Sequence, residues 1–545
     1  MSESRFMLYR SNAVKEMLVW GLGVATILGL AGACRNPDDY KQSADKEVYE
    51  VLTDKWQDDF GRQVNYEVSE EEPNDVDVAR MIPPAGVINL AQAVHIATQF
   101  SREYQSQKEA LYIAALNLTG TRHQYKRQWF GTFDATYATN NGTENSRVGS
   151  EAGVNQDHLL GDGIQIGTGL AIDWVRYLSG DPHTTLGSVL TASISAPLLG
   201  AGAGKAAREN LTQAERNVLY QIRTFNRYRK TFVISVVDAY YRVLQKKDTV
   251  RVTEDSYKRQ IDNTNRLIME ADVGKRPQAD AAEARQDLLT TENALVSARQ
   301  EYEQALDNFK IRLSLPPDAN VVLDQSELLA LEAAGVYEPN YSETEAIEIA
   351  LSRRLDLATT RDRLDDVERK LILAAEGLGV QVNLVGSANV DSTPETDYTR
   401  LRFHEGSYSL GLEGDLPFDR KTERNAYREA LITVQQRQRT YDRETDEITL
   451  SMRQAFRDLA ETAETYRIQR MSVDLAMDRV QEEKMKLQYG LGTVRELQIS
   501  EAALLQSQVN VTNALINHTL AKLNFFRDSG LLQVRPDGMW EQVTP

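Results

Sequence analysis

Cysteine is nearly absent. Cys34 stands alone among 545 residues, which rules out an internal disulfide. Histidine is scarce too: the six residues are scattered, with no zinc-ligand spacing among them, so no metal site is expected. Positive charge is in deficit. The net charge is −18, and a surface of that sign does not suit the phosphates of nucleic acid. No Ser/His/Asp or Cys/His arrangement stands out, so the chain is read as a non-enzyme without a cofactor. Gly200 to Lys205 superficially suggests a phosphate loop. It has Leu199 and Ala206 where that loop needs a glycine and a serine or threonine, and the reading is rejected. After residue 33 no run of 18 apolar residues occurs, so no transmembrane helix is expected there. A body that spans a membrane would then have to be a closed β-barrel. Charged residues make up 26% and hydrophobic residues 41%, the balance of a folded protein.

What is present begins at the N-terminus. Arg5, Arg10 and Lys15 precede the apolar run Met17 to Ala33, which gives residues 1–33 the form of a secretory signal. Ala31-Gly32-Ala33 suits ordinary signal peptidase. The same residues followed by Cys34 resemble a bacterial lipobox, with Ala31 where an aliphatic residue is usual; on that reading Cys34 is lipidated. A lone cysteine at this place favours the second reading. Residues 34–87 are acidic and polar, read as a tether and peripheral packing element with a short helix near Asp45 to Phe60.

The rest of the chain says the same thing twice, about 220 residues apart, too long a period for a solenoid unit. Ala93-Val94-His95-Ile96-Ala97 matches Ala346-Ile347-Glu348-Ile349-Ala350, each inside a helical pattern. Period-two stretches follow: Phe133, Ala135 and Tyr137, then Thr191, Ser193 and Ser195 in the first copy. Val380 to Leu384 and Tyr408 to Leu412 are their counterparts. Pro197-Leu198 and Pro417-Phe418 end them. Ala93 to Pro197 is about 33 residues longer than Ala346 to Pro417; the surplus, near 140–180, is expected to enlarge an extracellular loop region, although Gly167 to Trp174 within it is itself strand-like and the number of strands there stays open.

Long helices come next. Residues 205–272 hold neither proline nor glycine, and Val218, Ile222, Phe225, Phe232, Val236, Tyr240 and Val243 repeat as a coiled-coil seam. Gly274 to Pro277 breaks the run, and Leu288, Leu295, Tyr302 and Phe309 mark the returning helix. The second copy runs over about 421–489, turns at Gly490-Leu491-Gly492, and returns over about 494–528. The expected units are 88–318 and 343–530, with a linker at 319–342 and a tail at 531–545.

This order, duplicated, resembles the TolC-type outer-membrane efflux proteins over nearly all of residues 88–530. The carriers are the Ala93 and Ala346 motifs, the Pro197 and Pro417 junctions, and the tips, where Gly274, Asp280, Glu283 and Ala284 match Gly492, Gln498, Glu501 and Ala502. The implied fold class is mainly α with a membrane β-barrel contribution: duplicated long coiled-coil helical hairpins plus about four strands per protomer, in a trimeric tunnel. The implied partners are two further copies of the chain, outer-membrane lipid, a periplasmic adaptor and an inner-membrane transporter. The implied role is passive conduction of cargo in tripartite efflux or type I secretion. Independently, four strands cannot close a barrel, since closure needs about eight, so strands that meet lipid force oligomerisation. The rival is a non-conducting periplasmic coiled-coil adaptor or scaffold, which would be expected to interrupt one hairpin with compact β domains rather than carry two.

Two readings stand beside each other at the tips. Asp280, Glu283 and Glu501, with Gln498 in a place where the resembled family often has an acid, form a carboxylate ring at a pore mouth. Alternatively they are acids at helix N-termini that complement the macrodipole. Arg495 either latches to a neighbouring carboxylate or is plain surface. Val273, Gly274, Leu491 and Gly492 either dock an adaptor or merely supply turn geometry.

Overall fold

The computed structural model describes residues 36–60, 65–68, 82–83, 86–140, 145–178, 183–199, 203–337, 342–393, 397–416, 418–535 and 539–542. The expected signal, Cys34 and Pro417 lie outside the described residues.

The duplication is visible first in how each copy starts. Helix α2 (Leu90–Phe100) is capped by Asn89, whose side chain accepts from Gln92 N–H while Gln92 accepts from Asn89 N–H. Helix α7 (Glu343–Arg353) opens on the same reciprocal pair, Ser342 and Glu345. Both helices break at one extended residue, Ser101 or Arg354, with ψ of 123° and 122°. They continue as α3 (Arg102–Gln124) and α8 (Leu355–Glu376). Ala93, Ala97, Ala346 and Ala350 are fully buried, because small side chains let each helix approach its long neighbour closely.

Those neighbours are α4 (Ala203–Asp272, 70 residues) and α9 (Lys421–Gln488, 68 residues). At ~1.5 Å per residue each is about 100 Å long. The returning helices α5 (Gln278–Arg312) and α10 (Val494–Asp528) have 35 residues each and pack only along the half remote from the sheet; α3 and α8 take over along the other half. All seven seam residues of α4, from Val218 to Val243, are buried. Burial of each such side chain is worth about 1.5–3 kcal/mol, which outweighs the modest helix propensity of a valine- and tyrosine-rich segment.

The two copies are joined where α4 meets α8. Asp366 accepts from Arg216, Tyr220 and Gln213, and Arg223 pairs with Asp362 at 2.6 Å. Burial alone would raise the Asp366 carboxyl; the three hydrogen bonds outweigh it and hold the group below its usual range. Two short parallel strands, β1 (Val87–Ile88) and β6 (Val322–Leu323), tie the chain start to the inter-copy segment, which includes α6 (Ser326–Ala334). A C-terminal pair, β10 (Leu532–Val534) and β11 (Trp540–Gln542), closes the chain. Helix α1 (Pro37–Phe60) lies on this body: Trp56 is buried against Phe225, and the Tyr112 hydroxyl donates to Asp45 at 2.6 Å.

The main sheet stands at the far end of α3, α4, α8 and α9. Its long strands are β2 (Gln128–Asn140), β3 (Asn145–Leu159), β4 (Gln165–Tyr177), β5 (Thr184–Leu199), β7 (Gln381–Thr393) and β9 (Ser407–Asp415), paired antiparallel in that order. A short β8 (Asp397–Leu401) pairs with the end of β7. The four strands that the duplication calls for are present as two from each copy. The surplus in the first copy is not an enlarged loop but a further hairpin, β3–β4, inside the sheet. Its turn, Leu160 to Ile164, comes back to the helices, where Arg208 Nε donates to Gly161 O at 2.9 Å and pairs with Asp162. Among the described residues, no helix is long and apolar enough to cross a membrane.

Candidate functional site: the helical tips and the sheet

At the tips, α4 and α9 each stop at a glycine with positive φ, Gly274 at 76° and Gly490 at 71°. Lys275 N–H donates to Glu270 O, and Leu491 N–H to Lys486 O, at 2.9 Å in both turns. This left-handed cap needs glycine, since a Cβ at positive φ is strained. Gly490, rather than Gly492, is therefore the structural counterpart of Gly274. Gly492 answers a different need: a Cβ there would lie 3.0 Å from Lys486 Cβ and 3.2 Å from Leu487 N. The position corresponding to Gly492 in the first tip is Arg276.

That register changes the matching of the acids. Asp280 and Glu496, not Gln498, are the third residues of their helices, and Glu496 completes a capping box with Thr493. Asp280 is half-buried, 3.6 Å from Arg276 Nη1, and Glu283 is exposed. Glu501 is buried between α10 and α4, where its Oε1 accepts from Asn263 Nδ2 at 2.8 Å. Burial pushes the Glu501 carboxyl above its ordinary range, against the opposing pull of Arg259, Asn263 and Lys484. Gln498 is half-buried one turn away, and its buried Nε2 has no partner among the described residues. Arg495 is exposed. The structure thus brings Glu501 and Gln498 to the seam between hairpins and leaves Asp280 and Glu283 on the outer turns. Val273 and Leu491 are 70% and 82% exposed, as is Tyr489 at 79%.

Arg276 carries a role that sequence reasoning assigned only to helix breaking. Its Nε pairs with Glu270 at 2.7 Å, and its Nη2 donates to Leu487 O at 2.7 Å, so one side chain clasps the two hairpins. Leu267, Ala284, Leu487, Val494 and Leu497 form a small apolar cluster behind it. Nothing in the local pattern marks Arg276; the Thr493-x-x-Glu496 box, by contrast, is legible as written.

The sheet has two unlike faces. On one, Val154, Leu170, Leu190 and Val390 are direct partners across four strands, with Trp129, Phe133, Tyr137, Leu410 and Leu412 on the flanking strands. The other carries Asn155, Thr191, Asn389 and Ser407 at matching positions. Asp134, Glu151 and Asp173 are also cross-strand partners on that polar face, a row of three carboxylates over β2, β3 and β4. Period-two alternation could have placed each acid on the polar side, but not the three in one row, which needs the register.

Residues 163–310, from the β3–β4 turn to the end of α5, match the family described as Outer membrane efflux protein. Over that stretch the chain is similar to the outer membrane efflux proteins. The two-faced sheet is the part of this chain suited to lipid. Solved channels share the fold. CusC superposes with a TM-score of 0.60 at 14% identity, over 81% of this chain and 92% of its own. The open-state MtrE channel of Neisseria gonorrhoeae gives 0.60 at 12%, over 81% and 88%. VceC of Vibrio cholerae gives 0.57 at 14%, over 84% and 99%. No curated protein sequence matches the chain.

Proposed function

We propose that three copies of this chain form one outer-membrane channel that passively conducts cargo delivered by an inner-membrane transporter and a periplasmic adaptor, as in tripartite efflux or type I secretion. The observation that carries this reading is the sheet: apolar on one face, polar on the other, and unpaired at both edges among the described residues. An open edge in lipid leaves backbone groups unsatisfied at several kcal/mol each, so it must be closed by another copy. The helices support the same assembly. Ile468, Met471 and Leu475 on α9, and Leu289 and Val296 on α5, are exposed apolar residues at helical spacing, suited to packing against neighbouring copies.

Within that reading the exposed Val273, Tyr489 and Leu491 are the adaptor-docking tips, with Gly274 and Gly492 shaping their turns. Asp280 and Glu283 line the periplasmic mouth, Glu501 and Gln498 set the packing behind it, and Arg495 is a surface contact. The carboxylate row on β2 to β4 favours cations over anions in the lumen. Cys34 is the lipid attachment point that helps to hold the chain at the membrane.

Single-channel recording in planar bilayers tests the role. Cation-preferring conductance is expected, larger after Asp280→Ala and Glu283→Ala. A folded trimer that never conducts, with or without those changes, would instead establish a non-conducting scaffold. Mass spectrometry of the mature N-terminus tests the anchor; an unmodified Cys34 thiol would remove it.

A further inference from the structure

The first copy contributes four long strands and the second two, all in one continuous ladder. We propose that the exit barrel of this channel is built of eighteen strands, six from each of three copies, with β2 of one copy pairing with β9 of the next. The inference rests on the channel reading above and departs from the four strands per protomer that the family resemblance implies.

The question is whether β3–β4 is wall or ornament. A hairpin that capped or plugged a four-stranded protomer would have no reason to keep the in-and-out alternation of its neighbours. It keeps it over most of its length, with Ser150, Gln156, His158 and Thr168 among the polar exceptions on the apolar face. Val154 and Leu170 continue the apolar row of Leu190 and Val390, and two rows closer to the helices on the same face Ile166, Ile194, Gly386 and Leu410 are successive partners, with His158 beside Ile166 on β3. On the opposite face Asp157, Gly167, Ser193, Ser387 and Ser409 are successive partners, all small or polar. Gly169 lies between Asn155 and Thr191, and a Cβ there would stand 2.5 Å from Asn155 Oδ1, so the polar side chains of adjacent strands lean over it. The hairpin is also seated at the same height as the wall, through Arg208 and the Gly161-Asp162 turn.

Closure follows from direction. β2 leaves α3 and runs away from the helices, while β9 returns into α9. Even with two strands added, the edges therefore remain antiparallel to each other, so β2 of one copy can extend the ladder of β9 in the next. Six strands are too few to close alone, because small barrels need about eight. With strands about 4.8 Å apart and tilted about 40°, eighteen strands give a Cα diameter of about 36 Å, against about 24 Å for twelve. Barrels of 16–18 strands leave an aqueous channel, so the exit of this protein imposes no narrow filter, and any narrowing is left to the helical tips.

The wild-type trimer in lipid nanodiscs, imaged by electron cryomicroscopy, tests this directly. A wall about half as wide again as a twelve-stranded one, with β3–β4 in it, is the expected result. Cross-linking supplies a second arm. Thr132→Cys or Thr136→Cys on β2, each combined with Ser407→Cys or Ser409→Cys on β9, should yield covalent dimers and trimers with a short bifunctional thiol reagent, above a background with Cys34 alone. A conducting trimer with a wall of about 24 Å and β3–β4 outside it would overturn the eighteen-stranded barrel and leave the channel intact. Absence of any trimer would overturn both.

Discussion

The two copies are near-identical in their helices and unequal in their sheet. Each has the same capped lead-in helix, the same extended break, a long helix of 70 or 68 residues and a return of 35. Yet the first copy places four long strands where the second places two. The difference shows where such a protein can absorb an insertion. A hairpin added to an open sheet returns the chain to its starting point, so the helices below need not shift. An insertion in a coiled-coil seam would instead move every later residue around the helix axis.

The largest expected effect tests whether the extra hairpin shares the lipid wall. Leu170→Arg on β4 should cost about 2–4 kcal/mol per protomer at mid-membrane, as Leu410→Arg should in the second copy. Thr191→Arg, on the polar face, should be tolerated. The yield of detergent-resistant trimer reads all three. If Leu410→Arg abolishes assembly while Leu170→Arg does not, the hairpin stands outside the bilayer.

The tips differ more subtly. Arg276→Ala removes charge-assisted hydrogen bonds to Glu270 and Leu487, worth about 1.5–3 kcal/mol each, and should loosen the clasp between hairpins. Faster amide hydrogen exchange at residues 270–277 and 485–489 is the readout; unchanged exchange would show that the apolar cluster behind Arg276 suffices. Thr493→Ala should cost about 1 kcal/mol by loss of a capping box. Pro277, the corresponding cap of α5, has no side-chain hydrogen bond, so Pro277→Ala should cost less in the same unfolding assay.

The smallest effect is one of pH. Glu501 has its carboxyl pushed up by burial, so the native state holds its proton to higher pH than the unfolded chain does. Stability should therefore fall as pH rises from the ordinary carboxylate range through the raised value. Glu501→Gln should flatten that fall in thermal unfolding across acid to neutral pH; an unchanged slope would show that burial of Glu501 does not set it.

Much of the scaffold was legible because it is periodic. The seam from Val218 to Val243 and the alternation of Phe133, Ala135 and Tyr137 each state their own environment. The β3–β4 hairpin was harder to read: Gly167 to Trp174 looks strand-like, but Gln156, His158 and Thr168 interrupt the apolar face, so the strand count stays open until the partners are known. The candidate site was only half legible. Gly274 stands out, but by residue type alone Gly492 matches it as well as Gly490 does, because a two-residue offset in the turn leaves the surrounding residues equally plausible. Glu501 resembled Glu283 as an acid near a tip, and only the packing of α10 against α4 separates them.

The sequence by itself determined the duplication, the long helices, the breaks at their tips and the two-faced strands, because each is a local or periodic property that residue order expresses. Tertiary structure decided which glycine closes the second tip, which acid is buried, that Arg276 joins the hairpins, and that six strands rather than four share one ladder. Each of those depends on register between segments far apart in the chain, and register is a property of the pair, which neither segment carries alone.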